Sequence, residues 1–538
     1  MKNSKFIYLT VFAAVFAACE PEFENDVTAD YTSGEADFSS YVAVGNSLTA
    51  GYMDGTVYRS GQMNSFPNLL AQQFALVGGG AFTQPSFADD VNNVGGLLLG
   101  GNQISSTRLV IDASEGRPEN IAGTPSIEVA NQQATAYNNM GIPGAKSFHL
   151  LAPGYGSLTG LGQQPPTANP YFVRHATSPN ATVLGDAVSK NPTFFTNWIG
   201  ANDVLSYATN GGAQADGVTP ADDHNETGNL NPLTYGGNDI TNASVFALTY
   251  DLIINGGTHP LLGPVTGLTS GGAKGVVATI PSVTSIPYFT TVPYNPISAE
   301  VINANPQAAL LTQLYQFLAV ATNGRISPLN TTAGTTNPVL ISDVALTDLG
   351  AQITAYANAS GNPLLVANAN ALGALYGRAR HASASDLIVL PASSVIGASN
   401  GGQAPFDVVG VTFPMSNKWV LTSAEQAKVE AATVAYNNAI VAIANAKNLA
   451  VADMNAIMNQ LVSGLRIETG QTYTANYFSG STTEGQVLFS LDGVHPNARG
   501  YAVIANEILK VINAHYGAKL PLHNPGYFTG TQIVPVNN

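Results

Sequence analysis

The chain has 538 residues, of which 45% are hydrophobic and only 10% are charged, so it can bury a large core beneath a weakly charged surface. Its 34 acidic and 19 basic residues give a net charge of −15, and this acidic balance, without a visible basic patch, argues against nucleic-acid binding. The single cysteine excludes an intrachain disulfide.

The first residues are typical of a secretion signal, predicted over residues 1–18. Lys2 and Lys5 precede an apolar run at residues 6–16, which is shorter than the roughly 20 residues that span a bilayer. The sequence FAAC, which ends at Cys19, resembles the bacterial lipobox. This resemblance implies lipid attachment to Cys19 and an anchor in the cell envelope, at the outer membrane of a diderm bacterium. An ordinary signal peptide followed by an incidental cysteine is the alternative.

Residues 19–37 are predicted to form a solvated tether, because this stretch is acidic and has few apolar positions. The tether would hold the folded body, predicted to span residues 38–518, away from the membrane. Residues 519–538 are interpreted as a C-terminal tail.

Short apolar segments alternate with helical patterns along the body. Buried strands are predicted at residues 41–44, within 192–203, at 276–280 and at 449–453. Helices are predicted at residues 65–78, 297–322, 423–446 and 495–517, and Thr422 and Glu425 have the spacing of a capping box. This alternation predicts an α/β fold in which helices cover both faces of a central parallel sheet.

Three polar, glycine-rich stretches interrupt the alternation and are predicted to be loop-rich insertions, at residues 79–130, 204–240 and 324–420. The second insertion contains a cluster of potential calcium or zinc ligands, although a solvated loop is the favoured interpretation. The cluster consists of Asp222, Asp223, His224 and Glu226.

The stretch YVAVGNSLTAG, residues 41–51, places a serine where a predicted strand gives way to a turn. A serine hydroxyl is a poor nucleophile unless a base, a group that orients the base and donors for the oxyanion lie within reach. In open α/β sheets such groups meet at the carboxyl ends of the strands. Ser47 is therefore the candidate nucleophile. A similar stretch, GSLTG at residues 156–160, follows no strand, so Ser157 is interpreted as a loop residue.

The stretch LDGVHPNARGY, residues 491–501, offers a base. His495 precedes a strong helical pattern, and Pro496 suits the first turn of that helix. Asp492 lies three residues earlier, so its carboxylate can reach Nδ1 of the imidazole while Nε2 points outward. An aspartate in this position fixes the tautomer and stabilises the imidazolium. The stretch DGVTP at residues 216–220 repeats the pattern without a histidine.

Four segments in this order resemble the sequence blocks of the SGNH/GDSL hydrolase family. The segments are GNSLTAG at residues 45–51, GIPGA at 141–145, GAND at 200–203 and DGVHPN at 492–497. By this resemblance, the first segment supplies the nucleophile and the last supplies the aspartate and the histidine. The second and third supply oxyanion donors, at Gly144 and Asn202. The G-x-S-x-G pattern of α/β-hydrolases does not occur around Ser47, which favours the SGNH family.

The resemblance implies a three-layer, flavodoxin-like α/β/α fold and ester hydrolysis without a metal or another cofactor. It also implies an oxyanion hole made by the backbone amides of Ser47 and Gly144 and the side-chain amide of Asn202. Gly141 is an alternative to Gly144 as the donor of the second segment. Asn46 stands where the family has an aspartate, and an asparagine can make a similar turn hydrogen bond.

The predicted function is therefore that of a lipid-anchored serine esterase that acts on lipid or acylated-glycan esters. The alternative is a cell-surface lipoprotein that binds glycans or lipids without catalysis. The long insertions and the tether favour the alternative, whereas the intact Ser47, Asp492 and His495 argue against it. An aromatic-rich pocket would indicate acyl chains as substrates, and an open polar cleft would indicate acetylated glycans.

Overall fold

The computed structural model describes residues 30–402, 404–479 and 484–537. A five-stranded parallel sheet lies at its centre. The strands are β1 (Tyr41–Gly45), β2 (Asn139–Gly141), β3 (Phe194–Trp198), β4 (Lys274–Ala278) and β5 (Ala450–Ala452). The predicted α/β class with a parallel sheet is thus confirmed, and each of the four predicted strand segments holds a strand.

The spatial order of the strands is β2-β1-β3-β4-β5. This is a doubly wound order, in which the winding direction reverses between β1 and β3. Open sheets of this kind bind ligands in the crevice beyond the carboxyl ends of the strands at that reversal. The topology therefore predicts a ligand site formed by the segments that follow β1 and β3.

Helices cover both faces of the sheet. The helices named below are α1 (Ser47–Ala50), α2 (Phe66–Ala75), α3 (Val183–Val188), α4 (Asn202–Thr209), α5 (Ala243–Asn255), α6 (Ser423–Ala446), α7 (Met454–Ser463) and α8 (Ala498–Tyr516). Tyr41 and Ala43 of β1 pack with α2 and α8, whereas Val42 and Val44 point to the opposite face and pack with α3, α5 and α6. The arrangement is compatible with a three-layer α/β/α fold.

Two helix predictions had different outcomes. Thr422 and Glu425 form the predicted capping box at the start of α6, so this prediction is confirmed. The helix predicted over residues 297–322 is wrong, because the chain forms two helices, Ala299–Ala304 and Ala308–Ala321. Proline lacks an N–H and disfavours helical backbone in the preceding residue, and Asn305, which precedes Pro306, is extended.

The insertions contain more regular structure than the sequence predicted. The third insertion holds the helices Gly350–Ala359, Pro363–Ala367 and Ala369–Tyr376, which bury their own apolar cluster around Ile353 and Leu372. No helix is predicted there from the sequence, because alanine and asparagine at helical positions leave only a weak apolar period. Short strands occupy Leu97–Leu99, Asn102–Ser105, Leu109–Asp112 and Arg117–Asn120 in the first insertion.

Smaller elements connect these parts. The remaining helices are Arg59–Met63, Pro170–Val173, His224–Thr227 and Pro287–Thr290. The remaining strands form short pairs, at Gly257–His259 with Gly263–Val265, Ile297–Ser298 with Thr336–Asn337, Leu340–Ser342 with Ala379–His381, Leu387–Ile388 with Val420–Leu421, and Leu465–Arg466 with Thr472–Tyr473.

The ends of the described chain lie on the folded body. Thr32 forms an antiparallel bridge with Lys519, and the Glu35 N–H donates to the carbonyl of Tyr516. Ala36 is buried. Part of the predicted tether, residues 32–36, is thus held against the body by backbone hydrogen bonds and by the burial of Ala36. In the tail, Ile533–Val534 pairs with Leu109–Asp112.

The predicted signal peptide at residues 1–18 and Cys19 lie outside the described residues. Within the described ranges, no helix is both long enough and apolar enough to cross a membrane.

Candidate active site

Three adjacent strands of the sheet end side by side, at the same level. Gly45 at the end of β1 is aligned with Gly141 at the end of β2 and with Trp198 at the end of β3. Ser47, Gly144 and Asn202 follow these strand ends by two, three and four residues. The fold therefore gathers the three predicted segments at the same edge of the sheet.

The turn after β1 explains why glycine and asparagine precede Ser47. A side chain at position 45 would overlap Oγ1 of Thr49 and lie 2.7 Å from the carbonyl oxygen of Trp198, so only glycine fits. Asn46 caps α1, because its Oδ1 accepts a hydrogen bond from the Leu48 N–H at 3.1 Å. The turn bond expected of this asparagine is thus confirmed. Ser47 is the first residue of α1 and is 7% exposed.

Ser47, His495 and Asp492 form a continuous hydrogen-bonded chain. Oγ of Ser47 lies 2.8 Å from Nε2 of His495, and Nδ1 of His495 lies 2.9 Å from Oδ2 of Asp492. The orientation of the ring is therefore the one expected from the sequence, with Nδ1 toward the aspartate and Nε2 outward. In this arrangement Nε2 can accept the serine proton while the carboxylate stabilises the resulting imidazolium.

The loop that carries His495 is folded around the Asp492 carboxylate. Oδ1 accepts hydrogen bonds from the N–H groups of Val494 at 2.9 Å and His495 at 2.8 Å, and Oδ2 accepts one from Gly55 at 3.0 Å. Burial alone would raise the pKa of Asp492, but the neighbouring His495 and the N–H donors of the loop bring the pKa below its ordinary value. The carboxylate is therefore ionised at neutral pH.

The segment after α1 supports this loop, and the sequence reasoning missed it. Oδ1 of Asp54 accepts a hydrogen bond from the Leu491 N–H at 3.0 Å, and the Asp54 N–H donates to Oγ of Ser490 at 3.0 Å. Burial raises the pKa of Asp54 to about 6. The Tyr52 ring lies against the His495 ring, with 4.5 Å between the centroids. The Asp54-Gly55 dipeptide signals a turn, but no local pattern reveals partners 437 residues away.

The candidate oxyanion donors differ in what their N–H groups contact. The Gly141 N–H donates to Oδ1 of Asn139 at 3.0 Å, so it is already occupied. Gly144 is exposed and has a φ of +79°, in the left-handed region that favours glycine. Within the residues that the structure describes, the backbone N–H groups of Gly144 and Ser47 donate to no protein group. Of the two glycines considered, Gly144 is thus the one with an available donor.

The Asn202 side chain links the second and third segments. Its Nδ2 donates one hydrogen to the carbonyl of Ala145 at 2.9 Å, next to Gly144 in the chain. A side-chain amide nitrogen carries two hydrogens, so one remains for a ligand. The neighbouring Asp203 accepts hydrogen bonds from the N–H and the hydroxyl of Ser147, both at 2.8 Å. These contacts fix the two donor segments relative to each other.

The acidic cluster of the second insertion does not converge on one point. Nε2 of His224 is 2.9 Å from Asp239, Asp223 caps a short helix, and Glu226 pairs with Lys428 at 2.7 Å. The solvated-loop interpretation is wrong for Asp223 and His224, which are buried. In the part of the chain that the structure describes, no group of three or more His, Cys, Asp or Glu side chains is placed to hold a metal ion.

No protein-family model matches this chain, and no curated protein or solved structure is significantly similar to it. The chemistry of the site is therefore inferred from its residues and their geometry.

Proposed function

We propose that this chain is a serine esterase of the SGNH/GDSL type that hydrolyses carboxylic esters through Ser47, His495 and Asp492. The observation that carries the proposal is the hydrogen-bonded chain from Oγ of Ser47 to Nε2 of His495, at 2.8 Å, and from Nδ1 of His495 to Asp492, at 2.9 Å. The order of the four sequence segments and the doubly wound strand order support it. A protein that only binds its ligand has no need of this arrangement.

In the first half of the reaction, His495 takes the hydroxyl proton of Ser47 while Oγ attacks the ester carbonyl carbon. The carbonyl oxygen becomes an oxyanion, which accepts hydrogen bonds from the N–H groups of Ser47 and Gly144 and from Nδ2 of Asn202. Protonated His495 then gives its proton to the alcohol oxygen as the carbon–oxygen bond breaks, which releases the alcohol and leaves an acyl group on Ser47.

In the second half, His495 takes a proton from a water molecule that attacks the acyl carbon. The tetrahedral intermediate uses the same three donors, and its collapse returns a proton to Oγ of Ser47 and releases the carboxylic acid. Asp492 stays ionised and stabilises the imidazolium in both halves. A lipid anchor at Cys19 would present the site to lipid or acylated-glycan esters at the cell envelope.

Labelling with a fluorophosphonate tests the proposal, because such probes bond to serines activated by a neighbouring base. The mature chain should take up one probe, which peptide mass mapping should locate at Ser47. The variant Ser157→Ala is the matched control, since Ser157 lies in a similar S-L-T sequence but its hydroxyl pairs with that of Thr159, at 2.9 Å, and with no base among the described residues. Ser157→Ala should label fully and Ser47→Ala should not. Equal labelling of all three proteins, or no turnover of any p-nitrophenyl ester, would contradict the proposal.

The oxyanion role of Asn202 predicts that Asn202→Ala lowers kcat by roughly 10²–10³-fold with little change in KM, because the lost hydrogen bond forms in the transition state. The kinetics of p-nitrophenyl acetate hydrolysis measure both constants. Asn169→Ala is the control, because Nδ2 of Asn169 donates to the carbonyl of Pro143 in the same loop, at 2.8 Å. An equal loss of kcat in both variants would show that Asn202 only holds the loop.

A further inference from the structure

An apolar pocket lies beside the Ser47–His495 pair. Leu48, which follows the nucleophile in the chain, contributes to its wall, and so do Val494 and Pro496, which flank the base. The cavity has a volume of about 110 Å³. A pocket whose wall includes the neighbours of both groups is positioned to receive part of the molecule on which they act.

The chemistry of the wall is uniform. The other lining residues are aliphatic, methionine, proline, glycine or aromatic, and none carries a charge. The only N–H among their side chains belongs to Trp198, and it donates to the carbonyl of Thr279 at 3.1 Å. A sugar hydroxyl in this pocket would lose its hydrogen bonds to water without replacement, whereas a hydrocarbon chain would gain from burial.

Two helices form much of the wall. Met458 and Leu461 of α7 are buried, and Val503 of α8 is also buried, whereas Ile457 of α7 is only half-buried. Part of the pocket wall therefore stands on helices. Neither Gly144 nor Asn202 lines the pocket, so the groups that would hold the oxyanion lie outside it.

We propose that this pocket binds the aliphatic acyl chain of the substrate, so that the enzyme acts on esters of short- to medium-chain fatty acids in preference to acetate esters. The inference rests on the proposed function. The acyl group remains at the site through both halves of the reaction, whereas the alcohol must leave before water can reach His495. An apolar pocket next to Leu48 therefore suits the acyl chain, and the alcohol belongs on the side away from this pocket.

The size of the cavity sets the expected chain length. An apolar cavity of about 150 Å³ holds a benzene molecule, so a cavity of this size holds roughly four or five carbons. Each buried methylene contributes a factor of roughly four to binding. We expect kcat/KM for p-nitrophenyl hexanoate to exceed that for the acetate by about 10²-fold, with no further gain for longer chains.

The variant Ile457→Trp tests the pocket by filling it from α7. It should lower kcat/KM for the hexanoate at least tenfold more than it lowers kcat/KM for the acetate. Ile457→Ala should instead move the preference toward longer chains. Val462→Trp is the matched control, because Val462 lies on the same helix, is 56% exposed and does not line the pocket. Thermal unfolding of each variant shows whether it folds, and the Ile457→Ala result applies if the tryptophan variant does not.

Three outcomes would overturn the pocket assignment while leaving the esterase itself intact. The first is equal kcat/KM for acetate and hexanoate in the wild-type protein, and the second is an equal loss of both activities in a folded Ile457→Trp variant. The third outcome is that Ile457→Trp changes the dependence on alcohol length, measured with ethyl and hexyl acetate, and not the dependence on acyl length. Failure of the proposed function gives a different result, since no ester of any length would then be turned over.

Discussion

Replacing His495 by glutamine should reduce kcat for ester hydrolysis by roughly 10⁶-fold, because the loss of the base in a serine hydrolase leaves the hydroxyl unactivated. Glutamine cannot take the proton of Ser47 at neutral pH, although its side chain is of similar length. The backbone N–H of residue 495, which donates to Asp492 at 2.8 Å, is retained in the variant. The loop should therefore keep its conformation, and the loss should appear in kcat and not in the melting temperature.

Steady-state kinetics with p-nitrophenyl hexanoate, together with thermal unfolding, measure these two effects. His515→Gln is the control, because His515 is an exposed histidine near the end of α8, where Nε2 lies 3.1 Å from the carbonyl of Asn448 and the ring lies against that of Tyr516. It should retain wild-type activity. A loss of less than tenfold in His495→Gln would mean that another group activates Ser47, and the proposed mechanism would then be wrong.

Asp492→Asn should reduce kcat by roughly 10⁴-fold. If the new amide nitrogen faces His495, Nδ1 must become an acceptor, and the proton moves to Nε2, where it prevents the ring from acting as a base toward Ser47. The variant also loses charge stabilisation of the imidazolium. The fluorophosphonate labelling rate should fall in parallel with kcat, because both depend on the activated hydroxyl.

The chain offers a control for damage to the turn itself. Asp216 begins the D-G-V-T-P stretch and accepts hydrogen bonds from the N–H groups of Val218 and Thr219, as Asp492 does from Val494 and His495. Asp216→Asn alters the same kind of turn and should leave kcat unchanged. If Asp492→Asn also retained wild-type kcat, Asp492 would not belong to the catalytic machinery.

The effect of acid on stability provides a further readout for Asp492→Asn. The pKa of Asp492 in the folded protein lies below its ordinary value of 3.8. Its ionised form therefore stabilises the folded state at neutral pH, and this contribution is lost as the pH falls below about 4. As the pH is lowered below about 4, the melting temperature of the wild-type protein should then drop more steeply than that of the variant.

The sequence was sufficient for the parts of the site that have a local signature. Gly45 and Asn46 before Ser47 indicate a strand end and a helix cap. The three-residue spacing of Asp492 and His495 indicates a loop that folds back, so that the carboxylate reaches the imidazole. The strands β1, β3, β4 and β5 were predictable because each is short and contains a run of two to four apolar residues near turn residues. By contrast, no strand is predicted at β2, because the three residues Asn139–Gly141 include one apolar side chain, Met140, and Pro143 lies two residues beyond the strand.

Features that depend on distant contacts were not predictable in this way. Asp54 supports the His495 loop through atoms of residues 490 and 491, and nothing within its own segment indicates this. The pocket is assembled from side chains of several separate segments, each of which resembles ordinary core in the sequence. The helices between residues 350 and 376 were hidden because alanine-rich helices can pack closely without a strong apolar period.

The distance along the chain between Ser47 and His495, 448 residues, has a consequence for biosynthesis. The nucleophile is among the first parts of the body to leave the ribosome, whereas the base emerges among the last. If the proposed mechanism holds, a nascent or truncated polypeptide that ends before Asp492 has a serine with no base and is inert toward the esters of the cell that makes it. Ester hydrolysis would then begin only after the segments around Ser47 and His495 have both been synthesised and have folded together.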